Sequence, residues 1–150
     1  MGEVRKTFKG RSVLPGTTSG EALVSRGGFS SLASFYKSVL AQAETATCSD
    51  QDNTDLFGKV LTDKMVCLPK TIGSTSAGAT WLTVARMGIA PKAMLFSKRI
   101  DSLAAAGLAL AEVWEGRRIP TIGQLGDGFL EHVRDGQRVE IGDDGSVVVG

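Results

Sequence analysis

The sequence predicts a mixed α/β fold that is built from short strands and about three helices. Short apolar runs bounded by Gly or Pro are typical of buried strands, and apolar residues at three- and four-residue spacing are typical of helices. Glycine is frequent, with 19 of 150 residues, against a usual share of about 7%. Because these glycines follow no period, many turns between short elements are a simpler interpretation than a repeat or a flexible linker.

Strand and helix signals alternate along the first half of the chain. Ser30 and Ser31 can cap a helix, and the polar stretch after it, rich in Asp and Asn, is interpreted as an ordered loop. The predicted elements are a strand over 4–13 closed by a turn at Pro15-Gly16, a short strand over 21–25 that ends at Gly27-Gly28, a helix with the apolar face Leu32, Phe35, Tyr36, Val39, Leu40 and Ala43, a loop over 48–59, and a buried strand over 64–68.

The second half of the chain continues the alternation. Asp144-Gly145 between two apolar runs is the clearest hairpin signal in the sequence. The predicted elements are a loop over 73–78, a helix with Leu82, Ala85 and Ile89 on one face, a strand over 93–96, a short helix over 101–106, a strand over 108–113, a weaker helix over 124–133, and strands over 138–141 and 147–149.

Charge and hydropathy exclude several classes of function. Lys plus Arg number 17 and Asp plus Glu number 16, and a net charge of +1 offers nucleic acid no electrostatic footprint. The longest apolar stretch, Leu103 to Ala111, is broken by Gly107 and is far below the ~18 residues of a membrane span. The N-terminus lacks the apolar core of a signal peptide. We therefore expect a cytoplasmic protein with one domain over residues 1–150, and neither a membrane nor a nucleic-acid partner.

Two cysteines and one histidine limit the metal chemistry of this chain. An iron–sulfur cluster usually takes about four thiolates, and structural zinc takes about four Cys or His ligands. Cys48, Cys67 and His132 cannot complete either site, so we expect no metal ligand in this chain. Cys67 lies in an apolar run and is interpreted as a core residue, and His132 is interpreted as a surface residue.

The segment Gly73-Ser74-Thr75-Ser76 lies between a buried strand and a helix start. Consecutive hydroxyls, flanking glycines and free helix N–H groups can hold a carboxylate or a phosphate without a basic side chain. The same residues can equally act as a helix cap in a tight turn. The segment matches neither the nucleophile-elbow nor the P-loop pattern, so the local sequence leaves both interpretations open.

Several segments, taken in order, resemble one known family. They are Gly20-Glu21-Ala22-Leu23-Val24-Ser25, Gly28-Phe29-Ser30, Asp52-Asn53 with Leu56-Phe57-Gly58, Leu68-Pro69, the Gly-Ser-Thr-Ser segment, Ala90-Pro91-Lys92-Ala93, Ile100-Asp101-Ser102-Leu103, Gly107 and the closing Asp-Gly hairpin. The chain resembles the small subunit, or swivelling domain, of the aconitase X family over residues 10–149. The resemblance implies a swivelling β/β/α domain like the fourth domain of aconitase.

The resemblance also implies a partner and a reaction. The small subunit would pair with a large catalytic subunit that carries iron, often as an iron–sulfur cluster, and the pair would dehydrate a small hydroxy acid. Family members act on cis-3-hydroxy-L-proline or on mevalonate 5-phosphate. The archaeal, phosphate-using branch has Phe-Ser-Phe-Trp and a His-Pro pair, whereas this chain has Phe29-Ser30-Ser31-Leu32 and Thr54-Asp55. These departures favour the hydroxyproline branch, with pyrroline-2-carboxylate as the product.

Residue roles follow from the same resemblance. The serine that accepts the substrate proton maps to Ser74, and Gly73, Thr75, Ser76 and Asn53 map to substrate-binding positions. A serine is a poor base unless its alkoxide is stabilised, which helix-terminal N–H groups can do. The alternatives are a mevalonate 5-phosphate dehydratase small subunit and a non-enzymatic module that binds small anions.

Overall fold

The computed structural model describes residues 5–72 and 77–150, leaving aside the side chains of residues 77, 78 and 103. The strands are β1 (Lys6–Lys9), β2 (Arg11–Leu14), β3 (Thr18–Val24), β4 (Phe29–Ser30), β5 (Met65–Leu68), β6 (Thr71–Ile72), β7 (Ala93–Phe96), β8 (Thr121–Gly123), β9 (Arg138–Ile141) and β10 (Ser146–Val149). The helices are α1 (Ser31–Leu40), α2 (Ala77–Met87), α3 (Ser102–Glu115) and α4 (Asp127–His132). The mixed α/β prediction is confirmed.

Eight strands form one sheet in the order β1-β10-β9-β3-β5-β7-β8-β2. Its centre, β3-β5-β7-β8, is parallel, and the flanking strands pair antiparallel. The parallel strands need crossover connections, and α2 and α3 supply two of them. The short strands β4 and β6 form a separate parallel pair.

The two edge strands of this sheet, β1 and β2, are joined by one residue, Gly10. The N–H of Gly10 donates to the carbonyl of Gly145 at 2.9 Å. A Cβ atom on Gly10 would lie 2.4 Å from the carbonyl oxygen of Gly123, so the chain can turn this corner only without a side chain. The corner brings both edges together and splits the single strand that the sequence predicts over 4–13.

Alternate residues of the parallel strands point into two hydrophobic cores. In β5, Val66 and Leu68 pack with Trp81 and Leu108 of the helices, in the helix-side core. Met65 and Cys67 point to the other face, where Phe129 of α4 completes a second core. Cys67 is fully buried, as predicted, and β5 and β7 confirm the predicted strands.

Helix α1 begins after Ser30, whose side chain accepts a hydrogen bond from the N–H of Ala33 and so acts as the predicted cap. The predicted apolar face is confirmed for Phe35 and Val39, which pack in or against the helix-side core, and is wrong for Leu32, Tyr36 and Leu40. The buried residues of α1 are Ser31, Ser34, Phe35 and Ser38, whereas Leu32, Tyr36 and Leu40 are exposed. The ordered loop over 41–64 covers the serine face, because Ser49 Oγ donates to Ala33 O at 2.6 Å and Thr47 N–H donates to Ser38 Oγ at 3.0 Å.

Helix α3 corrects a second prediction. The short helix over 101–106 and the strand over 108–113 are one helix, and Gly107 lies inside it. Ala and Leu dominate this run and favour helix, and Leu108 and Ala111 are buried. The true end is Gly116, which has a φ of +66°. The strand β8 was missed by the sequence analysis, and the predicted hairpin of β9 and β10 is confirmed.

Within residues 5–72 and 77–150, no helix is long and apolar enough to cross a lipid bilayer.

Candidate functional site

The parallel strands β3, β5, β7 and β8 all end on the same side of the sheet. Ligands of α/β sheets bind beyond this carboxyl edge, where the loops meet. The segments that follow these strands include Gly27-Gly28, β6 with residues 73–76 after it, Asp101 and Gln124. Gly27-Gly28, Asp101 and Gln124 therefore follow strands that end at one edge of the sheet.

The pairing of β4 with β6 brings two of these loops into contact. Phe29 pairs with Thr71 and Ser30 pairs with Ile72. A Cβ atom on Gly28 would lie 2.7 Å from Cγ2 of Ile72, so the glycine permits this close approach. Since Ile72 directly precedes residue 73, the Gly27-Gly28 loop lies beside the strand that leads into the predicted site.

Four of the predicted site residues, Gly73, Ser74, Thr75 and Ser76, lie outside the described residues. The elements on either side of them are described: β6 ends at Ile72 and α2 begins at Ala77. The first turn of α2 carries no acidic side chain that would oppose an anion. The roles assigned to these four residues stay predictions.

Asn53, the fifth predicted site residue, is buried and its amide is engaged by the protein. Its Nδ2 donates to Ser25 Oγ at 3.0 Å and to the carbonyl of Gly28 at 3.5 Å. Its Oδ1 accepts a hydrogen bond from the N–H of Leu56 at 3.1 Å. Asn53 thus ties the Asp50–Gly58 loop to the Ser25–Gly28 loop. These contacts support a positioning role, and its predicted contact with substrate stays a prediction.

A second polar link joins β6 to α3. Thr71 Oγ1 donates a hydrogen bond to Asp101 Oδ1, while Asp101 Oδ2 accepts one from the N–H of Ala104 at 3.0 Å. Asp101 is therefore both the N-cap of α3 and an anchor for the strand before residue 73. From the sequence, Asp101 is the start of a predicted helix and part of a family segment, and its link to Thr71 is not predicted. The available signal was an Asp directly before a predicted helix, where a side chain caps the helix by accepting from the N–H three positions later, here that of Ala104.

Charged groups at the turn after β3 are paired. The N–H of Val24 and the Lys59 ammonium both donate to the Asp135 carboxylate, each at 2.7 Å. The N–H of Arg26 donates to Asp55 Oδ2 at 2.7 Å, and the Arg26 guanidinium donates to the carbonyl of Leu130 at 2.9 Å. These bonds fix the turn after β3 against the loop that contains Asn53.

The residues of this chain do not fit an iron site within the described part. Cys48 and Cys67 are buried and unpaired by disulfide, and burial raises the pKa of the Cys67 thiol well above its ordinary value. The His132 ring lies 5.7 Å from the ring of Phe8, as a half-buried packing residue. Among residues 5–72 and 77–150, no three His, Cys, Asp or Glu side chains gather closely enough to hold a metal ion.

The proteins similar to this chain include dehydratases with two different substrates in their names. The phosphomevalonate dehydratase small subunit of Archaeoglobus fulgidus is 28% identical over 137 residues, which cover 91% of this chain and 92% of that subunit. The cis-3-hydroxy-L-proline dehydratase of Hypocrea jecorina is 31% identical over 115 residues, which cover 77% of this chain and 18% of that protein. The similar segment is thus nearly a whole chain in the first relative and a small part of a longer chain in the second.

The fold and the family agree with these similarities. A crystal structure of holo aconitase X from Thermococcus kodakaraensis matches with a TM-score of 0.81 and 23% identity, covering 97% of this chain and 98% of that chain. At this identity the likeness shows the fold. The aconitase X swivel domain family matches residues 7–149, which is almost the full length. The resemblance seen in the sequence is therefore confirmed, and the chain belongs to the aconitase X swivel domain family.

Proposed function

We propose that this chain is the small subunit of an aconitase X-type dehydratase and that it contributes one wall of an active site completed by a large subunit. The observation that carries the proposal is the convergence of Gly28, Asn53 and Thr71 around the segment that leads into Gly73–Ser76. That convergence occurs at the carboxyl edge of a parallel sheet, where ligands bind. The family membership supports the same assignment.

The reaction is the loss of water from a β-hydroxy acid. The proton on the carbon beside the carboxylate is removed, the electron pair of that C–H bond forms the new double bond, and hydroxide leaves from the neighbouring carbon. We propose that Ser74 accepts the proton, and that Thr75, Ser76 and the N–H groups of residues 73–76 hold the carboxylate. The start of α2 at Ala77 supports this assignment, because helix-terminal N–H groups stabilise negative charge.

Mevalonate 5-phosphate is the substrate that the comparisons favour. Phosphomevalonate dehydratase small subunits from three archaea match this chain over about nine-tenths of their length. The sequence analysis preferred cis-3-hydroxy-L-proline, and the weight of these relatives reverses that order. Hydroxyproline stays the second candidate, because Phe29-Ser30-Ser31-Leu32 and Thr54-Asp55 replace the motifs expected of the phosphate-using branch.

The outward face of α1 supports the existence of a partner. A helix on a free surface normally turns its apolar residues inward. Here Leu32, Tyr36 and Leu40, four residues apart, are 40%, 53% and 67% exposed, whereas three serines of α1 are buried. We call Leu32, Tyr36 and Leu40 the α1 face and propose that the large subunit covers it. Relatives that are named small subunits support a large partner.

Iron belongs to the partner in this proposal, since the described residues of this chain do not fit a metal site. The test is anaerobic co-expression with a large subunit of the aconitase X type, followed by assays with both substrates. We expect co-elution, iron in the pair, and turnover of one substrate by the pair alone. Iron and turnover in the isolated chain would overturn the two-subunit proposal. A chain that is stable alone, binds a small anion and pairs with no large subunit would instead be a non-enzymatic binding module.

A further inference from the structure

We propose that a further site, lined by described residues of β2, β8 and α3, binds a tetrahedral oxyanion of the phosphate class. It is a cavity of about 610 Å³ between the start of β2, the end of β8 and the start of α3. This volume lies within the ~300–1,000 Å³ that small-molecule sites occupy. We call it the Arg11–Arg99 cavity, after two arginines that line it.

The two arginines are unpaired. Neither the Arg11 nor the Arg99 side chain makes a hydrogen bond or an ion pair with any described residue. By contrast, Arg86 and Arg118 are paired with the carboxylates of Glu115 and Glu112. Two positive charges that line one cavity repel each other unless an anion lies between them. Guanidinium groups bind phosphate through two parallel hydrogen bonds, which suits this pair to an oxyanion.

The carboxylate of Asp101 also lines the cavity, but its one negative charge offsets only one of the two arginine charges, and it forms no ion pair with either arginine. Asp101 Oδ1 accepts from Thr71 Oγ1 and Oδ2 accepts from the N–H of Ala104, so both oxygens are directed at other partners. No other acidic residue lines the cavity among the described residues. The net charge of the lining is therefore positive.

Uncharged donors complete the lining. Ser12 Oγ is buried and has no hydrogen-bond partner in the described part of the chain, although a buried hydroxyl is normally paired. Ser12 precedes the register shift between β2 and β8, and such a bulge redirects side chains. Ser102 lies in the first turn of α3, where N–H groups lack helical partners. An oxyanion would satisfy these donors together.

The backbone beside the cavity is held in an uncommon conformation. Gln124 has a φ of +57°, in the left-handed region that non-glycine residues seldom adopt. Its N–H donates to the carbonyl of Lys98 at 2.9 Å, which fixes the residue at the end of β8. Residues with strained backbone conformations cluster at ligand sites, where the backbone holds a side chain in a fixed position. Gln124 lines the cavity and can donate from its amide.

The first experiment is a titration of inorganic phosphate into the full chain, followed by calorimetry and by ³¹P NMR at constant ionic strength. We expect saturable binding, weakened about 10-fold or more by Arg11→Gln and by Arg99→Gln, because each removes charged hydrogen bonds. The matched control is Arg117→Gln, since the Arg117 side chain is exposed, makes no hydrogen bond or ion pair with a described residue and lies outside the cavity. Circular dichroism checks that the variants fold. Absence of phosphate binding, or equal weakening by Arg117→Gln, would overturn the proposal.

The second experiment identifies the source of the oxyanion and rests on the proposed dehydratase function. In the assembled enzyme, Arg99→Gln raises KM for mevalonate 5-phosphate about 10-fold or more if the phosphoryl group of the substrate occupies the cavity, and it leaves KM for cis-3-hydroxy-L-proline unchanged. If the chain binds phosphate and Arg99→Gln changes neither KM value, the ligand of the cavity is free phosphate. If the dehydratase proposal fails, the assembled enzyme turns over neither substrate. The phosphate titration does not depend on turnover and therefore still tests the cavity.

Discussion

Thr71 and Asp101 are joined by a hydrogen bond from Thr71 Oγ1 to Asp101 Oδ1. The bond connects the strand that leads into the proposed substrate-binding residues 73–76 with Asp101, which caps α3 and lines the proposed oxyanion site, the Arg11–Arg99 cavity. Each partner is also held by a second interaction: Thr71 pairs with Phe29 across β4 and β6, and Asp101 accepts from Ala104. The two sites therefore share a common support.

This link predicts coupled stability effects. Thr71→Val removes the donor and keeps the branched shape, and is expected to lower the free energy of unfolding by about 0.5–1.5 kcal/mol. Asp101→Ala removes the link and the cap, and is expected to lower it by about 1–2 kcal/mol. Urea unfolding of the double variant measures the coupling, because Thr71→Val has little further effect once Asp101 is absent. Strict additivity of the two changes would contradict the link.

Ser74→Ala separates a proton acceptor from a helix cap. In the assembled enzyme, kcat is expected to fall by about 10² to 10⁴, the worth of a positioned general base, with KM little changed. Steady-state kinetics and the melting temperature are measured on the same preparation. Ser76→Ala is the matched control and is expected mainly to raise KM. Near-normal turnover of Ser74→Ala with a lower melting temperature would make Ser74 a cap, which costs about 1 kcal/mol when removed.

Asn53→Ala tests whether the buried amide positions the loops or binds the substrate. The variant leaves the N–H of Leu56 without its side-chain acceptor and frees the Ser25 and Gly28 loop. Loss of buried hydrogen bonds is expected to lower the free energy of unfolding by about 1–3 kcal/mol. The free energy of unfolding, from denaturant titration, and KM are each measured for the variant and for the unaltered chain. Unchanged stability together with a raised KM would show direct substrate binding instead.

The α1 face predicts where the partner docks. Tyr36→Asp places a charge in the centre of the exposed apolar stripe and is expected to weaken association with the large subunit at least ~10-fold, because a buried charge without a partner is costly. Lys37→Ser, on the same helix but outside the stripe, is the control and should retain the affinity of the unaltered chain. Association is measured by surface plasmon resonance. Equal affinity of Tyr36→Asp and the unaltered chain would remove α1 from the interface.

Asp144 predicts a pH-dependent contribution to stability. The hydroxyl and the N–H of Ser146 and the ammonium of Lys9 hold the pKa of this carboxyl well below its ordinary value of 3.8. A carboxyl whose pKa is lower in the folded state stabilises the fold above its ordinary pKa, and this stabilisation is lost as the pH falls through the range below it. Asp144→Asn should therefore be less stable than the unaltered chain at pH 7. Urea unfolding should show the difference shrinking below about pH 4, and a constant difference would contradict the assignment.

Local patterns were sufficient for much of the fold. The strands over 93–96 and 138–141, the cap at Ser30 and the hairpin at Gly145 were predicted because each depends on neighbouring residues alone. Helix α3 was predicted as two elements divided at Gly107, although the Ala- and Leu-rich residues on both sides favour helix and outweigh the cost of one glycine. The burial of serines and the exposure of Leu32, Tyr36 and Leu40 in α1 were also missed, because residues 41–64 decide which face is covered.

The sequence by itself determined the fold class, the family resemblance and the chemical character of Gly73–Ser76, because these depend on residue types in order along the chain. The tertiary structure decided which distant residues meet. Gly28 approaches Ile72, Thr71 is linked to Asp101, and Arg11 and Arg99 line one cavity, although these pairs lie between 30 and 88 positions apart in the chain. Such contacts follow from the order of the strands and from the closure of the sheet at Gly10, where two backbone segments lie close together. They cannot be predicted from local sequence patterns.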